Sequence, residues 1–257
     1  YNEGLNTNGV QVGKIIFSVP EEGPDTLYYI CQFHGSMQGV IHIVEPQDPN
    51  PHAPAGMSLI PAGEFVMGDT FGEGGSDELP LHTNYISGFY MDQYEVTKAL
   101  WDEVKAFNGG NGYSYSYTGQ GKATNHPVYE VNWFDAVKWC NARSEMEGLP
   151  PVYYTDAGFT TAYKTGEIAP FANWSANGYR LPTEAEWEKA ARGGVAGQRF
   201  PWGDTISHGN ANYYAYPSEY SYDVNPTSGY LPTFRTGSIP FTSPVGYFAP
   251  NGYGLYD

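Results

Sequence analysis

The sequence is poor in basic charge, in long apolar runs and in cysteine. Twelve Lys and Arg stand against 28 Asp and Glu, a formal charge of −16. A surface of that sign repels phosphate backbones and anionic headgroups, so nucleic acid and acidic membranes are excluded as electrostatic partners and divalent cations are favoured. No apolar run approaches the roughly eighteen residues of a membrane span. The first residues show no charged-then-apolar targeting pattern, and a chain opening at Tyr1 is expected to lack its true beginning. The two cysteines, Cys31 and Cys140, lie far apart in different contexts, which argues against a disulfide framework.

What is abundant sets the class. Tyr counts 23, Gly 32 and Pro 20, with 40% hydrophobic and 16% charged residues, so a loop-rich globular structure with few long helices is expected. Acidity, little Lys and much Tyr and Gly point to an extracytoplasmic bacterial protein. At 257 residues the chain has room for one or two domains.

Residues 10–20 (VQVGKIIFSVP) and 27–44 read as antiparallel strands of a sandwich, separated by the turn-forming EEGPD. Pro46, Pro49, Pro51 and Pro54 then interrupt any apolar period, and 46–56 reads as a stiff, extended linker between a domain at 1–45 and another at 57–257. Three helices are predicted in the larger part. The first runs from about Thr97 to Phe107 with Leu100, Trp101 and Val104 inward. The second is capped by Asn132, buries Trp133, Ala136, Val137 and Cys140, and stops at Gly148. The third has Thr183 and Glu186 spaced as a capping box, Trp187, Ala190 and Ala191 as its packing face, and Gly193 as its stop. Beyond Gly193 irregular structure is expected.

Cys31, His34 and Met37 bring a thiolate, an imidazole and a thioether together at C-x-x-H-x-x-M spacing, a donor set that suits copper better than zinc or calcium. Cys31 would end the strand LYYIC, the turn QFHGS would return, and GVIHIV would leave as the last strand. The alternative is a buried thiol beside a turn histidine. This stretch resembles the C-terminal part of a cupredoxin (blue copper) domain. The resemblance implies an electron-transfer copper site with Cys31, His34 and Met37 as ligands and a further His from an earlier strand.

Residues 57–257 resemble the sulfatase-modifying factor family of the formylglycine-generating enzyme. Seven collinear blocks carry the likeness, among them MSLIPAGEFVMGD, HPVYEVNWFDAVKWCNARSE, GYRLPTEAEWEKAARGG and SPVGYFAPNGYGLYD. The resemblance implies an α+β, C-type-lectin-like fold with much irregular structure. It also implies a structural calcium ion at Asn212 and Tyr213, with Asp223 as the partner carboxylate. The family oxidises a substrate cysteine to formylglycine with oxygen, using two cysteines that hold copper. Those cysteines are expected downstream of the segment matching NGYGLYD, so no catalytic residue is assigned here. Glu184, Glu186 and Glu188 read as capping and packing residues, Cys140 as a core thiol, and His82 and His126 as structural.

Two functions stay open at this point. One is an oxidase of the formylglycine-generating type fused to a copper domain, acting on a protein or peptide substrate or with a redox partner. The other is a non-catalytic, lectin-like binding or scaffold module with the same appendage. Ergothioneine-type sulfur chemistry is disfavoured, because a β-sandwich stands where an iron-binding helical domain with clustered His would be needed.

Overall fold

The computed structural model describes residues 26–30, 38–42, 54–107 and 110–256. The chain divides into two units, Tyr1–His52 and Ala53–Asp257. In the first, β1 (Thr26–Ile30) and β2 (Gln38–His42) pair antiparallel from Thr26↔His42 to Ile30↔Gln38. The rest of the expected sandwich, with Cys31, His34 and Met37, lies outside the described residues.

The second unit opens with β3 (Met57–Ile60), β4 (Gly63–Met67), β5 (His82–Ile86) and β6 (Phe89–Asp92). β3 pairs with β6 and β4 with β5, both antiparallel, and the register is unchanged from one ladder to the other. The four strands are therefore one long hairpin, interrupted where Pro61 has no N–H to donate. The interruption frees backbone carbonyls, which need partners. Lys189, almost fully buried, supplies them by donating to Pro61 O at 2.7 Å and Gly63 O at 2.9 Å.

Lys189 belongs to α3 (Glu184–Arg192), the helix predicted by its caps. The Thr183 hydroxyl accepts from Glu186 N at 3.3 Å, Glu186 accepts from Thr183 N at 2.8 Å, and Gly193 ends the helix at φ 60°. Arg180 grips Glu186 through two bonds of 2.7 and 2.6 Å. Ala190 packs with Ile60 and Leu255 in a small core. Trp187, expected on the packing face, is instead 61% exposed. The inward positions of so short a helix are taken by Lys189 and Ala190, which meet the hairpin, and the indole is left outside.

The main core lies between α1 (Lys98–Phe107) and α2 (Trp133–Met146). Trp101 and Trp139 stack with centroids 5.6 Å apart, and Val104, Val137, Val152 and Tyr163 are fully buried around them. Each such aliphatic side chain contributes roughly 1.5–3 kcal/mol by leaving water. Asn132 caps α2 by accepting from Asp135 N at 2.7 Å, as its sequence implies. The expected inward Trp133 is overturned, being 52% exposed. Asp135 turns inward in its place, because its carboxylate receives Ser116 N at 3.0 Å and Tyr117 N at 2.8 Å and pairs with buried Lys138 at 3.1 Å.

Along α2 the buried polar residues hold irregular chain. The Asn141 amide nitrogen donates to Tyr153 O and Tyr163 O, while its oxygen accepts from Val152 N and Tyr153 N, all between 2.7 and 3.1 Å. Ser144 accepts from Tyr179 N at 2.8 Å, and the next residue back, Gly178, could carry no side chain, since a Cβ would stand 2.1 Å from Pro150 O. The ladders β7 (Tyr153–Tyr154) with β8 (Phe171–Ala172), and β9 (Tyr214–Ala215) with β10 (Gly229–Tyr230), are only two residues deep. After Gly193 the described chain is irregular apart from β9, β10 and isolated bridges, which agrees with the expectation.

Asn141→Ala removes four hydrogen bonds to buried backbone; of the groups concerned, Tyr153 O keeps a second donor in Tyr163 N. It should lower unfolding free energy by about 3 kcal/mol in urea titration, against about 0.5 kcal/mol or less for an ordinary surface substitution. Burial pushes the Glu186 carboxyl up, but Arg180 and Thr183 N more than offset this and hold it below the ordinary 4.5. The folded chain then binds fewer protons than the unfolded one, so this stabilisation is full above pH 4.5 and disappears as pH falls through the folded value. Glu186→Gln should cost about 2 kcal/mol at neutral pH and nothing below both values, read from unfolding midpoints across pH.

Candidate functional site: an aromatic-rimmed groove

A cavity of about 900 Å³ opens within the second unit, lined by residues from β6, α2, α3 and the 249–256 segment. Its apolar lining includes Phe89, Met91 and Leu255. Among the lining residues are Arg143 and Asp92, joined by two bonds of 2.5 and 3.1 Å. Glu147 accepts from Arg143 Nε at 3.2 Å, and the guanidinium lies 3.9 Å from the Tyr179 ring centre. Burial alone would push the guanidinium down, but the Asp92 carboxylate outweighs it and Arg143 stays charged. A largely buried ion pair held through three hydrogen bonds resists rearrangement, since losing one partner leaves an uncompensated charge. This part of the cavity wall is therefore stiff.

The rim differs. Trp187 is 61%, Trp202 40% and Tyr94 38% exposed, although all three line the cavity. Tyr94 leans on Tyr256 with centroids 4.8 Å apart. Tyr90 lines the cavity as well, and its hydroxyl is buried with no hydrogen-bond partner. A buried orphan hydroxyl costs free energy until a partner arrives. Apolar walls, exposed rings and one unsatisfied donor describe a ligand groove.

Cys140 also lines this cavity, as the core thiol expected of it. Burial pushes the thiol up to about 12, so it remains protonated at neutral pH and is a poor nucleophile. Glu186 and Glu188 serve structure: Glu188 accepts from Gly68 N at 3.0 Å and pairs with Arg192 at 2.6 Å. His126 bonds Thr242 Oγ1 at 2.8 Å, and His82 Nδ1 lies 3.0 Å from Pro80 O.

Asn212, Tyr213 and Asp223 are each engaged in hydrogen bonds within the chain. The Asp223 oxygens accept from Tyr216 N at 2.6 Å, Asn225 N at 3.1 Å, Asn225 Nδ2 at 2.8 Å and the Tyr213 hydroxyl at 2.9 Å. A cation at Asp223 would have to displace some of these four donors. Tyr213 O lies 3.2 Å from His208 Nε2, and Asn212 donates to Phe241 O at 2.8 Å. Among the described residues no group of three or more His, Cys, Asp or Glu could hold a metal ion, and no helix is long and apolar enough to cross a membrane.

The sulfatase-modifying factor enzyme 1-like domain family matches residues 44–257. The formylglycine-generating enzyme of Streptomyces coelicolor is 34% identical over 232 residues, covering 80% of this chain and 67% of that protein. The mouse formylglycine-generating enzyme is 32% identical over 226 residues, covering 81% of this chain and only 57% of its own length. The crystal structure of CarF superposes with a TM-score of 0.58 at 29% identity, covering 78% of this chain and 75% of that one. The groove, both cores and α1, α2 and α3 fall inside the matched span, and the chain belongs to the sulfatase-modifying factor enzyme 1-like family.

Proposed function

We propose that the whole protein acts outside the cytoplasm on a cysteine-bearing segment of another protein, oxidising it to formylglycine, and that the groove holds this segment. The observation that carries the reading is the groove's division of labour. Trp187, Trp202 and Tyr94 stand exposed on its rim, while the buried Tyr90 hydroxyl has no partner. An extended peptide would cover the rings and give that hydroxyl a backbone carbonyl. The Arg143–Asp92 pair would not move on binding, so the segment would meet a preformed wall. Oxygen chemistry would need a reactive thiol pair or metal, and Cys140, protonated and enclosed, does not supply it. The exposed rim and preformed wall serve equally a second reading, a body that binds its partner without turning it over.

The two readings separate in one assay. The full-length protein is incubated in air with cysteine-containing peptides, and the peptides are examined for aldehyde by mass spectrometry. Conversion supports the oxidase. Tight binding without conversion supports the binding module, and neither binding nor conversion sinks the groove. Trp187→Ala should weaken peptide affinity about tenfold or more, as for an exposed aromatic anchor, with the unfolding midpoint nearly unchanged.

The amino-terminal unit supports a copper reading of its own. β1 ends at Ile30 and β2 begins at Gln38, paired with each other, so Cys31 and Met37 directly follow and precede the ladder in sequence and His34 lies midway between them. Copper held there would supply one-electron transfer. Full-length protein titrated with Cu(II) should develop an intense visible charge-transfer band that Cys31→Ser abolishes. A featureless titration, or a band insensitive to that substitution, retires the site.

A further inference from the structure

From the groove rim an unbroken file of rings leads to the surface. Trp202 stacks on Phe200 at 5.5 Å and 6°, and Phe200 meets Tyr222 at 5.8 Å. Four tyrosines follow in contact: Tyr222 to Tyr220 at 5.5 Å, Tyr220 to Tyr216 at 6.4 Å, and Tyr216 to Tyr214 at 6.5 Å. Tyr222 is half-buried, while Tyr220, Tyr216 and Tyr214 are 48%, 46% and 52% exposed.

Two ordinary explanations fall short. Packing needs rings but not phenols, and three half-exposed tyrosines bury too little to account for the file. A platform for stacking sugars needs coplanar faces, yet the Tyr214/Tyr216 and Tyr216/Tyr220 planes cross at 81° and 78°. What these side chains share is that Trp and Tyr can each give up one electron, and electron transfer between neighbours requires contact rather than coplanarity.

We infer that this file conducts oxidising equivalents from the groove rim to the surface tyrosines. A one-electron oxidant takes an electron from Trp202 and is itself reduced. Tyr222 refills the indole across Phe200, Tyr220 refills Tyr222, and so on outward. Each phenol that gives up its electron releases its proton and takes one back when its outer neighbour refills it, so the net change is one electron to the oxidant and one proton to water from the last phenol, which is left a neutral tyrosyl radical. The direction follows from solvation, because an oxidised phenol must shed its proton. Water reaches Tyr220, Tyr216 and Tyr214 freely, whereas burial pushes the half-buried Tyr222 phenol up. The path does not depend on the groove converting a substrate, and it would protect any oxidative chemistry there from stray radicals.

The test injects oxidation at one end. In the full chain carrying Cys31→Ser, an added Gln198→Cys is labelled with a ruthenium polypyridyl, two residues before Phe200, leaving buried Cys140 unlabelled. Flash excitation with a cobalt(III) quencher generates the oxidant, and a tyrosyl radical trap followed by peptide mapping reads where the radical rests. Label is expected on Tyr220, Tyr216 and Tyr214. Tyr220→Phe keeps the ring and removes the oxidisable phenol, so label on Tyr216 and Tyr214 should be lost while Tyr222 is still trapped. Tyr216→Phe should likewise confine label to Tyr222 and Tyr220, an independent break if the first variant alters the fold by circular dichroism. Unchanged labelling of Tyr214 in both variants, or no tyrosine labelled in the parent, overturns the path.

Discussion

Backbone groups that no regular ladder satisfies must find partners, and in this fold buried side chains provide them. The Asn141 amide shows the constraint most plainly, with four backbone groups on one side chain. Asp135, Ser144 and Lys189 serve other irregular stretches in the same way. A polar residue inside a protein is costly only when unpaired, and each of these is paired. The arrangement lets short helices organise long loops that could not build a sheet. It also concentrates fragility, because one side chain holds several segments at once.

That scaffold explains why the groove can be both stiff and sticky. The side chains that fix the chain point into the protein, which leaves the Trp187 indole largely outside, while Trp202 stacks on Phe200 and donates to Thr205 O at 2.9 Å with 40% of its surface still exposed. Arg143 joins the two roles: it is anchored by Asp92 and Glu147, covered by Tyr179, and still borders the cavity. The site is thus a by-product of how the helices were recruited for hydrogen bonding.

Local chemistry was legible in the sequence and long-range assembly was not. Thr183, Glu186, Gly193 and Asn132 announce helix ends because capping acts within a turn or two. Trp133 and Trp187 misled, since apolar periodicity assumes an apolar inside, and here the inner positions of both helices are partly polar. The continuity of the interrupted hairpin was hidden by Pro61. The groove could not be foreseen, because its lining runs from Pro54 to Tyr256 and no local pattern links those positions. The calcium expectation rested on likeness alone. Asn225 supplies two of the four donors to Asp223, a local pairing that likeness alone does not reveal.

Asn251 closes the unit upon itself. Its amide donates to Ala190 O and Ala191 O at the end of α3 and accepts from Tyr253 N and Leu255 N, while Tyr256 N reaches Gln93 O. A segment far downstream therefore seals the 57–92 hairpin and the third helix. Until residues 251–256 emerge, the growing polypeptide holds an open seam beside Ile60, an apolar surface exposed to misassembly before its long-range contacts can form.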